Sequence, residues 1–319
     1  MLDIRKGIIF AAKAAMGICV FVSSGYAQSV FSSSVGCNQI TNICTITMSG
    51  SYILDASINN PINITASNVT LDLGGYSIIG GTACTNSATS HATTCNTGAS
   101  NGTSMIRVTG YNVTIKSGYV VGSPGVGLYA QTLAAGKNQN IVIKDVTFSD
   151  NAGSAIFATG DGVTLINVIA SKNGATGISL SGSNILDHVN SSYNNGDGIL
   201  LTNAVMTNIV ATGNYNFGVE TNGGLSGGTL TNVNATGNFY GGVKGQSLAI
   251  VAGSFGNNQG LGVQTLGGVS STIAAGGNNG SQSAAQYFFD PYSCYLNVTS
   301  NLGTITGTGK NGSGLTGCQ

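Results

Sequence analysis

A chain of 319 residues with only 6% charged side chains, ten basic against ten acidic, carries no basic stripe of the kind nucleic acid binding requires. The same balance makes a polyanion a poor tight ligand. Glycine supplies 50 residues, where the usual share is roughly 7%; helices tolerate that poorly, whereas corners between short strands use it for positive φ.

Residues 1–27 have the form of a secretory signal peptide. Arg5, Lys6 and Lys13 accompany a short apolar run, AAMGICVFV, followed by small and polar residues up to Ala27, so Gln28 is the expected new N-terminus. The run is too short for a membrane span, and no other stretch could serve as one. Met16-Gly17-Ile18 before Cys19 is a poor lipoprotein cleavage site. Cleavage would leave seven Lys and Arg (ten less Arg5, Lys6 and Lys13) and nine Asp and Glu (ten less Asp3), a charge of about −2. The expected localisation is secreted, periplasmic or cell surface.

Beyond Cys19 there remain Cys37, Cys44, Cys84, Cys95, Cys294 and Cys318. An even count in an exported chain implies disulfides, with about fifteen possible connectivities. Sequence proximity favours Cys37–Cys44, Cys84–Cys95 and Cys294–Cys318. No Cys/His spacing fits zinc, and no cofactor or metal is expected.

Apolar alternation starts in residues 50–80, where NVTLDL puts Val69, Leu71 and Leu73 on one face, and returns as NVTIKS at 112–117. Between them, residues 81–104 are rich in Ser, Thr, Asn and Ala. They read as a protruding loop closed by Cys84–Cys95. Residues 118–140 form a looser coil.

From 141 to 266 one pattern recurs six times. Its clearest column is Asn151, Asn173, Asn194, Asn214, Asn238 and Asn258. Five residues after each comes Ile156, Ile178, Ile199, Val219, Val243 or Val263, usually preceded by Gly. Successive aliphatics are 22, 21, 20, 24 and 20 residues apart (178−156, 199−178, 219−199, 243−219, 263−243). A fixed period of this size signals a solenoid. The apolar spacing inside each unit is that of short strands separated by corners, so each unit is one turn of a parallel β-helix. The Asn side chain, with one acceptor and two donors, can bond its copy on the next turn and build a structural ladder. A solenoid end needs cover. The expected domain plan is an N-terminal cap at 28–60, the β-helix at 61–284 with its insertion at 81–104, and a C-terminal cap at 285–319.

This repeat, N-x-x-x-G-[IV] above all, resembles the right-handed parallel β-helix repeat family, pectate-lyase-like in the broad sense, over roughly residues 50–280. Right-handedness and a single-stranded all-β solenoid are what the resemblance implies. The family's enzymes do not carry over with it. Polygalacturonase-like members have clustered Asp with Gly-His-Gly and Arg-Ile-Lys motifs, which are absent here. Pectate-lyase-like members use an acidic calcium cluster with a basic residue, and no Asp cluster here suits calcium. Fold alone does not assign activity.

The residue after each Gly–aliphatic pair should point outward. That column holds Phe157, Ser179, Leu200, Glu220, Lys244 and Gln264. Glu220, the sole Glu, and Lys244 fall on adjacent turns and suit an ion pair. Asp197 and Glu220 are the one carboxylate pair worth weighing for a glycosidase, and their backbones are expected about 11 Å apart. Asp197, Glu220 and Lys244 are therefore the catalytic candidates. Tyr193, Tyr215, Phe217, Phe239 and Tyr240 cluster just before that strand and offer platforms on which sugar rings could stack. Asp150 and Lys172 share a column and suggest a surface pair. His188 follows Asp187 but shares its own column with Asp145, Asn167, Asn208 and Asn232, which marks a polar corner. The leading expectation is a binder of a neutral or weakly charged polysaccharide or cell-surface glycan. The alternatives are a polysaccharide hydrolase or lyase and a structural, adhesive surface protein.

Overall fold

The computed structural model describes residues 43–96, 103–131, 139–221, 228–246 and 248–266, together with backbone strands at 29–31, 37–38, 268–275, 285–289, 293–300, 304–307 and 310–311. The expected signal peptide and the Cys294–Cys318 pairing lie outside the described residues.

The chain is an all-β parallel solenoid. The aliphatic column predicted from the repeat pairs turn upon turn in register, Leu128 with Ile156, then Ile178, Ile199, Val219, Val243 and Val263. It extends back through Ile106 to Ile62 and Cys44. Parallel pairing thus begins inside the stretch expected as an N-terminal cap, with Gly50–Leu54 on Val69–Asp72. In backbone register it continues to Ala285–Phe289 on Leu261–Leu266.

Three faces enclose the core. The first is lined by the column just given. The second is lined by Ile115, Ile143, Leu165, Leu186, Met206, Leu230 and Ile250. The third is lined by Val120, Phe148, Ala170, Ser191, Ala211 and, two turns on, Phe255. These side chains are 0–1% exposed, and burying each aliphatic contributes about 1.5–3 kcal/mol. The third face uses small residues where the asparagine ladder needs room. Phe148 and Phe255 close the two ends of that narrow run.

The corners explain the polar columns. Asp145, Asn167, His188, Asn208 and Asn232 all adopt φ between 52° and 56°, turning the chain from the second face to the third. Asn and Asp tolerate this left-handed conformation better than most side chains. The next corner uses Asp150, Lys172, Tyr193, Gly213, Gly237 and Asn257, again at positive φ, each one residue before or at the turn into the ladder.

The ladder is continuous. Nδ2 of Asn151, Asn173, Asn194, Asn214 and Asn238 donates to Oδ1 of the next rung at 2.8–3.1 Å. That same Oδ1 also accepts the backbone N–H of the preceding rung. All six asparagines are fully buried. A second, exposed ladder runs Asn140 to Asn112 to Asn68.

Cys84 and Cys95 form a disulfide between two antiparallel strands, Cys84–Asn86 and Thr93–Cys95. Cys44 is also disulfide-bonded and lies opposite Cys37 in an antiparallel register. The described part of the insertion, residues 81–96, does not protrude as expected. Its hairpin folds back along the ladder corner, with Cys84 and Cys95 Sγ both 3.8 Å from the Asn151 carbonyl oxygen. Thr93 near its tip donates its hydroxyl to the Tyr193 carbonyl there.

Candidate functional site

The ladder corner delivers the chain onto the first face, so residues just before each Gly–aliphatic pair crowd one edge of that face. Tyr215 and Phe239 stack there, with ring centroids 5.1 Å apart and planes 9° from parallel. Tyr240 meets both edge-on, at 5.9 Å from Tyr215 and 5.3 Å from Phe239. Phe217 lies tilted against Tyr240 at 6.5 Å. Tyr240 remains half exposed at 50%, so the cluster is a shelf rather than a plug.

Tyr193, grouped with these rings from the sequence, stands apart from the ring stack. Its φ is 57°, and a Cβ on Gly213 would lie 2.6 Å from its ring. Tyr193 therefore covers the bare backbone of the next turn. Glycine at 213 is required twice over, by its φ of 66° and by this close approach.

Glu220 and Lys244 pair as their column implied, with Nζ 2.8 Å from Oε1. The ammonium also stands 5.1 Å from the Phe217 ring centroid, where the ring's negative face attracts it. Asp197 is 5% exposed and its Oδ1 accepts the Phe217 N–H at 3.1 Å. Burial pushes the Asp197 carboxyl up to about 6, and the Glu220 charge adds to the rise; the Phe217 hydrogen bond and Lys244 oppose it. Asp197 thus ties one turn to the next while sensing Glu220. An acid with this environment is poised near neutral pH, a property that active-site carboxyls share with some structural ones.

The disulfide hairpin borders the shelf, which sequence reasoning did not show. His91 at its tip lies 6.5 Å from Phe239, ring to ring. Thr93 bonds to the Tyr193 carbonyl and to Asn195. The signal available was only the disulfide itself; the loop's landing place has no pattern to mark it.

Two further residues sort into corners. His188 Nδ1 lies 2.8 Å from Asp187 Oδ1, with both side chains exposed, and Asn208 touches the same pair. Asp150 does not pair with Lys172. Its Oδ1 instead accepts the Cys84 N–H at 3.4 Å, because the folded-back hairpin reaches it first. An ion pair that the sequence left unnoticed joins Lys116 to Asp72 at 2.9 Å. Among the described residues no group of three or more His, Cys, Asp and Glu is placed to hold a metal ion, and no helix is long and apolar enough to cross a membrane.

Fold and site together define a parallel β-helix with an aromatic shelf on one face. No protein-family model matches the chain, and no curated protein matches it in sequence. Among solved structures it is similar to the A-module of the Azotobacter vinelandii mannuronan C-5 epimerase AlgE4, with a TM-score of 0.59 and 14% identity over 84% of this chain and 81% of that one. It is also similar to the receptor-binding domain of the siphovirus 9NA tailspike, with a TM-score of 0.53 and 12% identity over 89% and 70% of the two chains. The Dettilon tailspike protein gives a TM-score of 0.54 and 9% identity over 88% and 68%. At these identities the likeness is one of fold.

Proposed function

We propose that this protein is an exported β-helix that binds a neutral or weakly charged polysaccharide along its first face. The observation that carries this is the half-exposed shelf of Tyr215, Phe239 and Tyr240 adjoining the Glu220–Lys244 pair. Aromatic faces accept the C–H faces of sugar rings, and flanking amides, hydroxyls and one ion pair supply polar contacts without a strong net field. That the A-module of a mannuronan epimerase shares the fold supports a polysaccharide as the class of ligand. The test is retention of the purified protein on a panel of neutral and acidic polysaccharides, scored also for new reducing or unsaturated ends. Retention without cleavage, lost in Tyr215→Ala and Tyr240→Ala, is the expected result. No retention on any polymer would overturn it and leave a structural, adhesive role ahead.

A second reading is a hydrolase or lyase, favoured by the raised pKa of Asp197 beside Glu220. Asp197 would be the proton donor and Glu220 the base, with Lys244 steadying its charge. New chain ends that vanish in Glu220→Gln would establish it. Unchanged turnover in that variant would dismiss it.

A further inference from the structure

The first face carries a second feature, four turns from the Glu220 position along the same outward row. Register places Arg107 beside Tyr129, Tyr129 beside Phe157, then Ser179, Leu200, Glu220 and Lys244. Tyr129 and Phe157 stack with centroids 5.5 Å apart and planes 7° from parallel. The Arg107 guanidinium carbon lies 5.5 Å from the Tyr129 ring centroid. The Tyr129 hydroxyl donates to Gln131 Oε1 at 2.9 Å, which fixes the ring on which the cation rests.

Arg107 is unlike the other cations in this row and the next. Lys244, Lys116 and Lys144 each face a carboxylate. Among the described residues, exposed Arg107 has no carboxylate at salt-bridge distance. It is also the only arginine after Arg5. A guanidinium held over a ring face by cation–ring attraction does not spend its N–H donors on that contact, which leaves them for a bidentate contact with a carboxylate. The outer edges of Tyr129 and Phe157, both half-buried, give an apolar floor beside it. Ser179 follows in the row and leaves the floor open toward Glu220.

We propose that Arg107, Tyr129, Gln131 and Phe157 form a subsite for an acidic sugar residue, a uronate, at the far end of the glycan-binding face. The proposal rests on the polysaccharide reading of that face and refines its ligand: a chain with occasional uronates rather than a uniformly neutral one. Tyr129 and Glu220 lie four turns apart, roughly 19 Å at about 4.8 Å per turn. A single extended oligosaccharide lying along the solenoid axis would engage both ends, and its binding should strengthen once it is long enough to span them.

The test follows the arginine Nε–Hε signal of the 15N-labelled mature protein by NMR. With Arg5 removed in the expected signal peptide, Arg107 gives the one arginine signal, and Arg107→Lys confirms its assignment. Methyl β-glucuronide, methyl β-glucoside and sodium sulfate are added separately at equal ionic strength. The expected result is a saturable shift of the Arg107 signal with the glucuronide, none with the glucoside, and a weaker, unsaturated response to sulfate. Tyr129→Leu should weaken glucuronide binding by about threefold, the scale of one exposed cation–ring contact that orients Arg107, while melting as the parent protein does. An Arg107 signal that stays still, or that responds equally to glucoside or to sulfate, would overturn the proposal. Tyr240→Ala separates the two readings: it should abolish polymer retention and leave the glucuronide shift unchanged. A shift without any polymer retention would count against the polysaccharide reading alone, whereas retention without a shift would count against this subsite alone.

Discussion

Thr93 Oγ1 donates a 2.6 Å hydrogen bond to the backbone carbonyl of Tyr193, 100 residues further along the chain. The Thr93 N–H donates to Asn195 Oδ1 at 3.1 Å, and a Cβ on Gly174 would lie 2.9 Å from Cys95 Sγ. These contacts moor the disulfide hairpin to consecutive turns of the ladder corner, just short of the aromatic shelf. The hairpin is therefore a strap along the solenoid that ends where the shelf begins.

Reducing that disulfide should loosen the strap without dissolving the solenoid. Cys84 and Cys95 close a loop of 11 residues, for which chain entropy gives about 2–3 kcal/mol. Cys84→Ala/Cys95→Ala is expected to lower the melting temperature and to make the segment around residues 84–95 cleavable by protease. Parent protein that melts identically with and without reductant would contradict the strap role.

Replacing a middle rung of the buried ladder should be far more damaging than replacing a rung of the exposed one. Asn194 donates to Asn214, to the Ala170 carbonyl and to Ser191, and accepts twice from Asn173. Asn194→Ala strands several buried groups at about 1–3 kcal/mol each, so a loss of about 3 kcal/mol or more is expected in urea unfolding. Asn112 makes comparable amide bonds to Asn68 and Asn140 in the open. Asn112→Ala should cost about 1 kcal/mol, because water replaces what is lost, with the left-handed backbone adding a little.

Stability should fall as pH rises through the Asp197 transition. Its folded pKa is raised to about 6 from an ordinary value near 3.9, so between about pH 4 and pH 6 the native state binds more protons than the unfolded chain. The slope of unfolding free energy against pH is then negative in that window and flat above it. Asp197→Asn keeps an acceptor for the Phe217 N–H and removes the buried charge. It is expected to flatten that part of the pH–stability curve and to raise stability at pH 8 by about 1–3 kcal/mol. A variant less stable than the parent at pH 8 would show that the carboxylate charge, not its burial, governs this position.

The Glu220–Lys244 pair should contribute little to folding. Lys244 keeps 39% of its side chain exposed while Glu220 keeps 13%, and Gln at 220 retains an acceptor for the ammonium, so Glu220→Gln is expected to change stability by about 1 kcal/mol. A clear loss of polysaccharide retention or turnover in that variant, with stability unmoved, would place the pair in the binding face rather than in the scaffold.

In a solenoid each turn contacts its neighbours, so a period of 20–24 residues specifies at once the strands, the inward columns, the register and the ladder from Asn151 to Asn258. The same logic put Glu220 beside Lys244 and left His188 at a polar corner, because a column position already names the neighbours above and below. Within that region the sequence is close to a map of the structure.

What the period does not reach was decided by tertiary structure alone. The 81–104 insertion belongs to no column, so nothing in its composition says that Thr93 meets Tyr193 or that Cys84 takes Asp150 away from Lys172. The rings before each strand sit where the chain leaves a corner, and their stacking depends on side-chain torsions that spacing does not encode, which is why Tyr193 left the group that Tyr215, Phe239 and Tyr240 formed. Arg107, Tyr129 and Phe157 come from coils separated by loops of unequal length, so their common row emerged only once hydrogen-bonded register had aligned them. The repeat determined the scaffold through nearest-neighbour pairing; the surface features were set by contacts between segments whose separation along the chain follows no rule.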